Sequence, residues 1–154
     1  MTITKEFFYT LFMSMVPVVE LRGGIPLGIA TGLSWEYAFW AGIIGNLIPV
    51  PFIIIFIRKI FAFMRKHIPK LGGLVDRLEK KADNKGELIR KYAGFGLILL
   101  VAIPLPGTGA WTGSLVAALM DVRMKTAIPA IVTGVIIAAA IVTAATLGVV
   151  HLAF

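Results

Sequence analysis

No cysteine occurs anywhere in the 154 residues. That excludes a disulfide framework, thiol chemistry and a cysteine-ligated metal. Histidine is almost as scarce. His67 and His151 stand alone, without metal-ligand spacing, so no metal site is expected. The chain has no P-loop, no HExxH motif and no catalytic dyad, which points away from an enzyme and from any cofactor. A cleavable signal is not expected either: Lys5 and Glu6 nearly cancel, and no small-residue cleavage site closes a short apolar core before Glu20. Charge is missing over long stretches. Residues 92–120 hold no ionisable side chain except the Tyr92 phenol.

What fills the space is apolar. The chain is 58% hydrophobic with a mean hydropathy of +0.92, against roughly 45–50% for a soluble domain. This composition implies an integral membrane protein, all α-helical, forming a single domain over residues 1–154. Its net charge is +7, and it is concentrated. Residues 58–91 hold eleven basic and four acidic side chains, a difference equal to the whole net charge. A basic segment can bind nucleic acid, but this one lies between two membrane blocks. It reads instead as a cytoplasmic loop obeying the positive-inside rule in a multi-pass plasma-membrane protein. Nucleic acid is not an expected partner.

The most unusual stretch is Val16-Pro-Val-Val-Glu-Leu-Arg-Gly-Gly-Ile-Pro-Leu-Gly28. It sets Glu20 and Arg22 among helix breakers inside an apolar run. The ten residues Phe7 to Val16 before it make about 15 Å of helix, half of a bilayer core of about 30 Å. A second short helix is expected from near Ile25 to Leu33, with Pro26 in its first turn. Ser34 then caps a full span over residues 35–57, which opens on an aromatic belt of Trp35, Tyr37, Phe39 and Trp40. Pro49 and Pro51 should kink that span, with Asn46 bonding a freed carbonyl. Glu36 and Asp121 are expected to cap helices. Residues 60–91 alternate Phe61, Met64, Ile68, Leu71, Leu74 and Leu78 with Lys and Arg at helical spacing. This segment reads either as a surface-lying amphipathic helix or as a solvated linker.

The plan then recurs. Residues 92–120 are broken at Pro104-Leu-Pro-Gly-Thr-Gly109, a charged link follows at residues 121–125, and residues 126–150 form a second full span. A shift of 87 positions brings Pro17 onto Pro104, Ser34 onto Asp121 and Asn46 onto Thr133. The expected organisation is repeat one over 1–59, a basic linker over 60–91 and repeat two over 92–154. If all four apolar segments crossed, Arg123 and Lys125 would lie opposite the basic loop. If segments 7–33 and 92–120 are re-entrant helical hairpins, both basic stretches face the cytoplasm and the repeats are inverted. The second arrangement fits the positive-inside bias better.

Both breaks are candidate substrate or ion sites. A mid-membrane charge costs about 2.5–3.5 kcal/mol on insertion scales and marks a pathway or a buried pair. Glu20 and Arg22 therefore lead the candidates, either in transport or as a salt bridge locking the hairpins. Gly23, Gly24, Gly107 and Gly109 permit tight turns, as do Pro26, Pro104 and Pro106 in their own way. Half-helices starting near Ile25 and Ala110 would aim anion-binding N-termini at mid-membrane. Thr108 and Thr112 add hydroxyls, and Trp111 adds a stacking face.

Glu20-Leu-Arg-Gly-Gly-Ile-Pro-Leu-Gly28 together with Pro104-Leu-Pro-Gly-Thr-Gly-Ala-Trp-Thr-Gly113 resembles the small multidrug export protein family over nearly the whole chain. More distantly the chain resembles DedA/VTT-type membrane proteins, which have paired re-entrant hairpins and are implicated in moving lipid carriers such as undecaprenyl phosphate. These resemblances imply a small exporter with Glu20 and Arg22 in the transport site. DedA-type proteins carry further charges in the second hairpin, including arginine; residues 93–120 here have none. The expectation is a transporter of a small molecule or lipid, coupled to protons or Na+, with its site where the hairpins meet. With two full spans per chain, a homodimer is expected to enclose the path. The alternatives are a flippase-type carrier of an anionic lipid and a non-transporting, lipid-organising membrane protein.

Overall fold

The structure, a computed structural model, describes residues 3–70, 72–74, 76–77 and 86–153. Among them every regular element is a helix: α1 (Ile3–Met15), α2 (Glu20–Ala30), α3 (Trp35–Leu47), α4 (Pro49–His67), α5 (Gly86–Ala102), α6 (Ala110–Leu119) and α7 (Met124–Ala153). Leu71, Leu78 and the basic residues Lys80, Lys81 and Lys85 of the expected amphipathic segment lie outside the described residues.

Among the described residues two helical runs are long and apolar enough to cross a membrane, Trp35–His67 and Met124–Ala153, at 33 and 30 residues. The first is α3 and α4 nearly end to end. Pro49 opens α4, where its missing N–H costs nothing. By contrast α2 and α6 have 11 and 10 residues, about 15–17 Å each.

α1, α2 and α3 pack on one another, and so do α5, α6 and α7; α2 then lies on α7 and α6 on α4, tying the trios together. The contacts inside the trios match. Gly24 abuts Ser14 and Gly113 abuts Val101; Gly45 abuts the Leu11 carbonyl and Gly134 the Ile98 carbonyl. First-arm residues are related by 87 positions, as Pro17 and Pro104 are. The matched contacts after the tips are related by 89, because the second chain reversal holds two more residues up to the matched pair Glu20 and Gly109. The Ser34–Asp121 and Asn46–Thr133 correspondences are therefore corrected: Ser34 matches Arg123 and Asn46 matches Val135.

The two second arms also end alike. Leu33 N–H donates to Gly28 and Val122 N–H to Ala117, with Gly32 (φ 97°) and Asp121 (φ 50°) left-handed. This is the Schellman closure. Asp121 thus ends α6 rather than capping α7. Ser34 has the extended backbone of an N-cap but makes no side-chain cap bond.

α2 begins at Glu20, five residues before the expected start. Glu20 N–H already reaches the Val16 carbonyl and Gly23 N–H the Val19 carbonyl, both at 2.9 Å. Pro26 therefore sits inside the helix, where it leaves the Arg22 carbonyl without its helical donor. Asn46 is buried, and its Oδ1 acceptor has no partner.

α1 is built inside out. Its buried residues are Glu6, Thr10 and Ser14, while Phe8 and Phe12 on its outer face are 51% and 62% exposed. Each buried hydroxyl donates back to the carbonyl four residues earlier, at 2.8 Å. Gly24 and Gly28 close over them. Small residues inside and large apolar ones outside are what a lipid-facing bundle requires.

Candidate functional site: two tips in contact

The first tip is the four-residue turn 16–19 with the start of α2. The second is the seven-residue turn 103–109 with the start of α6. They meet through residues Glu20 and Gly109, which correspond under the 89-residue shift. Both have left-handed backbone, at φ 48° and 130°. A Cβ at Gly109 would overlap the Glu20 carboxylate, so only glycine lets the acid approach.

The Glu20 Oε1 accepts the backbone N–H of Trp111 at 3.1 Å. That N–H belongs to the first turn of α6, where helix donors are unsatisfied and the dipole favours an anion. The expected anion-binding helix end therefore exists, and its occupant is the protein's own carboxylate. At the start of α2 two of these donors are already used, the Glu20 N–H by the Val16 carbonyl and the Gly23 N–H by the Val19 carbonyl.

Arg22 reaches across in the other direction. Nη1 donates to the Leu105 carbonyl. Nη2 donates to the Ile103 carbonyl at 3.1 Å and to Thr108 Oγ1 at 2.9 Å. Thr108 Oγ1 lies 2.8 Å from both the Ile103 and Leu105 carbonyls, and its one proton serves one of them. Thr112 Oγ1 donates to the Gly107 carbonyl at 3.0 Å. Among the described residues neither Glu20 nor Arg22 forms a salt bridge. Both charges do lock the tips together, but through neutral groups of the opposite tip. Charge-assisted bonds of this kind are roughly twice as strong as neutral ones.

A cleft of about 440 Å³ opens between the tips. Glu20, Arg22, Pro104, Pro106, Gly107, Thr108 and Thr112 line it, with Pro17, Val18 and Leu105. The other expected site residues serve packing. Gly23 lies on Val19 and Gly24 on Ser14, and Pro26 is inside α2. Trp111 presents no stacking face to the cleft. Its indole Nε1 donates to the Met15 carbonyl at 3.1 Å, closing the C-terminal end of α1. Val18 and Leu105 were missed because apolar tip residues look like any apolar residue in sequence, and Pro17 was read as a helix breaker and not as cleft lining. The 93% exposure of Val18 needs the fold to be seen.

No curated protein and no solved structure is significantly similar to this chain. One family model does match, over residues 20–141, and its description is "Putative small multi-drug export protein". The match begins at Glu20, after α1 and the turn 16–19, and takes in α2 to α6, the second tip and the first part of α7; it covers well over half of the chain, so the chain belongs to the small multidrug export protein family.

Proposed function

We propose that this chain is a plasma-membrane exporter whose substrate passes between the two tips, with Glu20 coupling transport to protons or Na+. In this reading α1–α2 and α5–α6 are re-entrant hairpins of two inverted repeats, meeting at mid-membrane. The short second arms support it, since about 15 Å of helix reaches only half of a bilayer core of about 30 Å. The crosswise packing of α2 on α7 and α6 on α4 supports it too. Residues 58–91 then face the cytoplasm, and a second copy of the chain completes the enclosure of the path.

The observation that carries the reading is the pair of cross-tip contacts beside the cleft. Glu20 holds the start of α6 and Arg22 holds the turn before it. Any motion that separates the tips must release both. Protonating Glu20 weakens it as an acceptor for the Trp111 N–H and loosens one of the two. That is a simple way to link a proton to opening, and alternating access follows if the tips part on one side at a time.

A second reading, movement of an anionic lipid headgroup, draws on the α6 N-terminus, which already accepts a carboxylate. A phosphate would compete there with Glu20 and pair with Arg22. Purified protein in liposomes separates the two readings. Efflux of a cationic dye, lost at least tenfold in Glu20→Gln and kept in Arg22→Gln, supports drug export. Translocation of a phosphorylated isoprenoid, lost in Arg22→Gln, supports the lipid reading. Well-folded protein that moves neither class would sink both.

A further inference from the structure

Away from the tips, a second cleft of about 400 Å³ lies where α4, α5 and the α6–α7 turn converge. That volume is within the range of about 300–1,000 Å³ typical of ligand pockets. Arg58, Ala93, Met120, Asp121, Val122, Arg123 and Thr126 line it. Arg58 stands where the apolar run of α3 and α4 gives way to Arg58-Lys59, the level at which lipid headgroups meet a span. We propose that this cleft binds the phosphodiester headgroup of an anionic phospholipid.

Charge and geometry carry the assignment. Two guanidinium groups and one carboxylate leave the lining with one net positive charge, the complement of a singly charged phosphodiester. Arg58 is held at the cleft by donating Nη2 to the Val122 carbonyl. Its contact with the Asp121 carboxylate is loose, 3.8 Å with that side chain 78% exposed. Its Nε is buried without a partner. The side chain as a whole is 31% exposed, and a phosphate oxygen in the cleft would be a closer acceptor for its fork than the loose Asp121 contact. Arg123 is exposed and, among the described residues, makes no ion pair. The start of α7 faces the same place. Thr126 and Ala127 N–H return to the Arg123 carbonyl, leaving the earlier donors of that turn in the position that favours an anion.

The acyl chains have a bed as well. Tyr92, Phe95 and Leu99 on α5, beside Ala93, are 57%, 63% and 44% exposed and share one helix face at i, i+3 and i+7. The first half of the chain has no counterpart: Gly32 and Ser34 occupy the positions of Asp121 and Arg123.

The inference rests on membrane residence and not on transport, so it fails or stands separately from the export reading. Native mass spectrometry of the full chain released from detergent tests it, with phosphatidylglycerol and phosphatidylcholine offered at equal concentration. Phosphatidylglycerol should be retained preferentially, and Arg123→Gln should lower its retention at least threefold. Lys70→Gln, on a basic residue outside the cleft, should leave it unchanged. Equal retention of the two lipids, loss in both variants alike, or displacement of the lipid by millimolar inorganic phosphate would each overturn the proposal. Because Arg123 is exposed, its variant folds; Arg58→Lys, which keeps the charge but not the fork, should give an intermediate loss.

Discussion

The two hairpins share a backbone plan and divide its chemistry. Hairpin one turns in four residues and brings both charges, Glu20 and Arg22. Hairpin two turns in seven, has no charge at its tip, and brings carbonyls, a hydroxyl and a helix end to receive them. The same division appears at the matched positions Glu20 and Gly109, where one tip carries the carboxylate and the other omits even a Cβ to admit it. Two tips with matching contacts thus become complementary rather than redundant. A charge on both tips would repel or need a further partner; a charge on neither would leave the start of α6 bare.

The sharpest way to break this complementarity is Gly109→Ala. The added methyl overlaps the Glu20 carboxylate, and φ 130° is unfavourable for any L side chain. We expect a loss of about 2–4 kcal/mol in stability, the range for a strained position that also breaks a buried contact. A thermal melt in detergent reads it, and a melt within a degree of the parent would refute the described tip contact. Arg22→Lys tests the other direction of the exchange. An ammonium keeps the charge but cannot span three acceptors on one plane. The expected cost is about 1.5–3 kcal/mol, as for hydrogen bonds to a charged group. Increased proteolysis within residues 103–109 should accompany it.

The mildest test compares the Schellman closures. Gly32→Ala places a side chain at φ 97° with nothing within 4 Å, so only backbone strain acts. It should cost about 1–2 kcal/mol. Asp121→Gly relieves the corresponding strain while losing a loose ion pair, and should change stability by less than about 1 kcal/mol. If the two variants behave alike in urea titrations of detergent-solubilised protein, the matched turns are not equivalent in energy.

Much of this was legible in sequence. Pro17 and Pro104 announce the breaks because the residue before a proline is steered out of the helical region, although Pro26 and Pro129 stay inside helices. Glu20 and Arg22 stand out because charge is rare in an apolar run. The register after the tips was not legible, since it depends on how many residues each turn consumes, and Pro17 and Pro104 align the first arms only. The start of α2 was hidden because Pro26 suits a first turn in isolation, while the Val16–Val19 turn had already begun the helix. Trp111 misled for a similar reason: an indole advertises its face, and here it uses its N–H. The polar inner stripe of α1 was invisible for want of a partner. Thr10 and Ser14 become inward-facing only when Gly24 and Gly28 are known to press on them.

The Arg22 contacts reach Ile103, Leu105 and Thr108 from a single planar group. Three points on one short turn are therefore released by one side-chain rotation and regained by one rotation back. In the proposed opening these three contacts would part together, and the Glu20–Trp111 bond would be left to tie the tips.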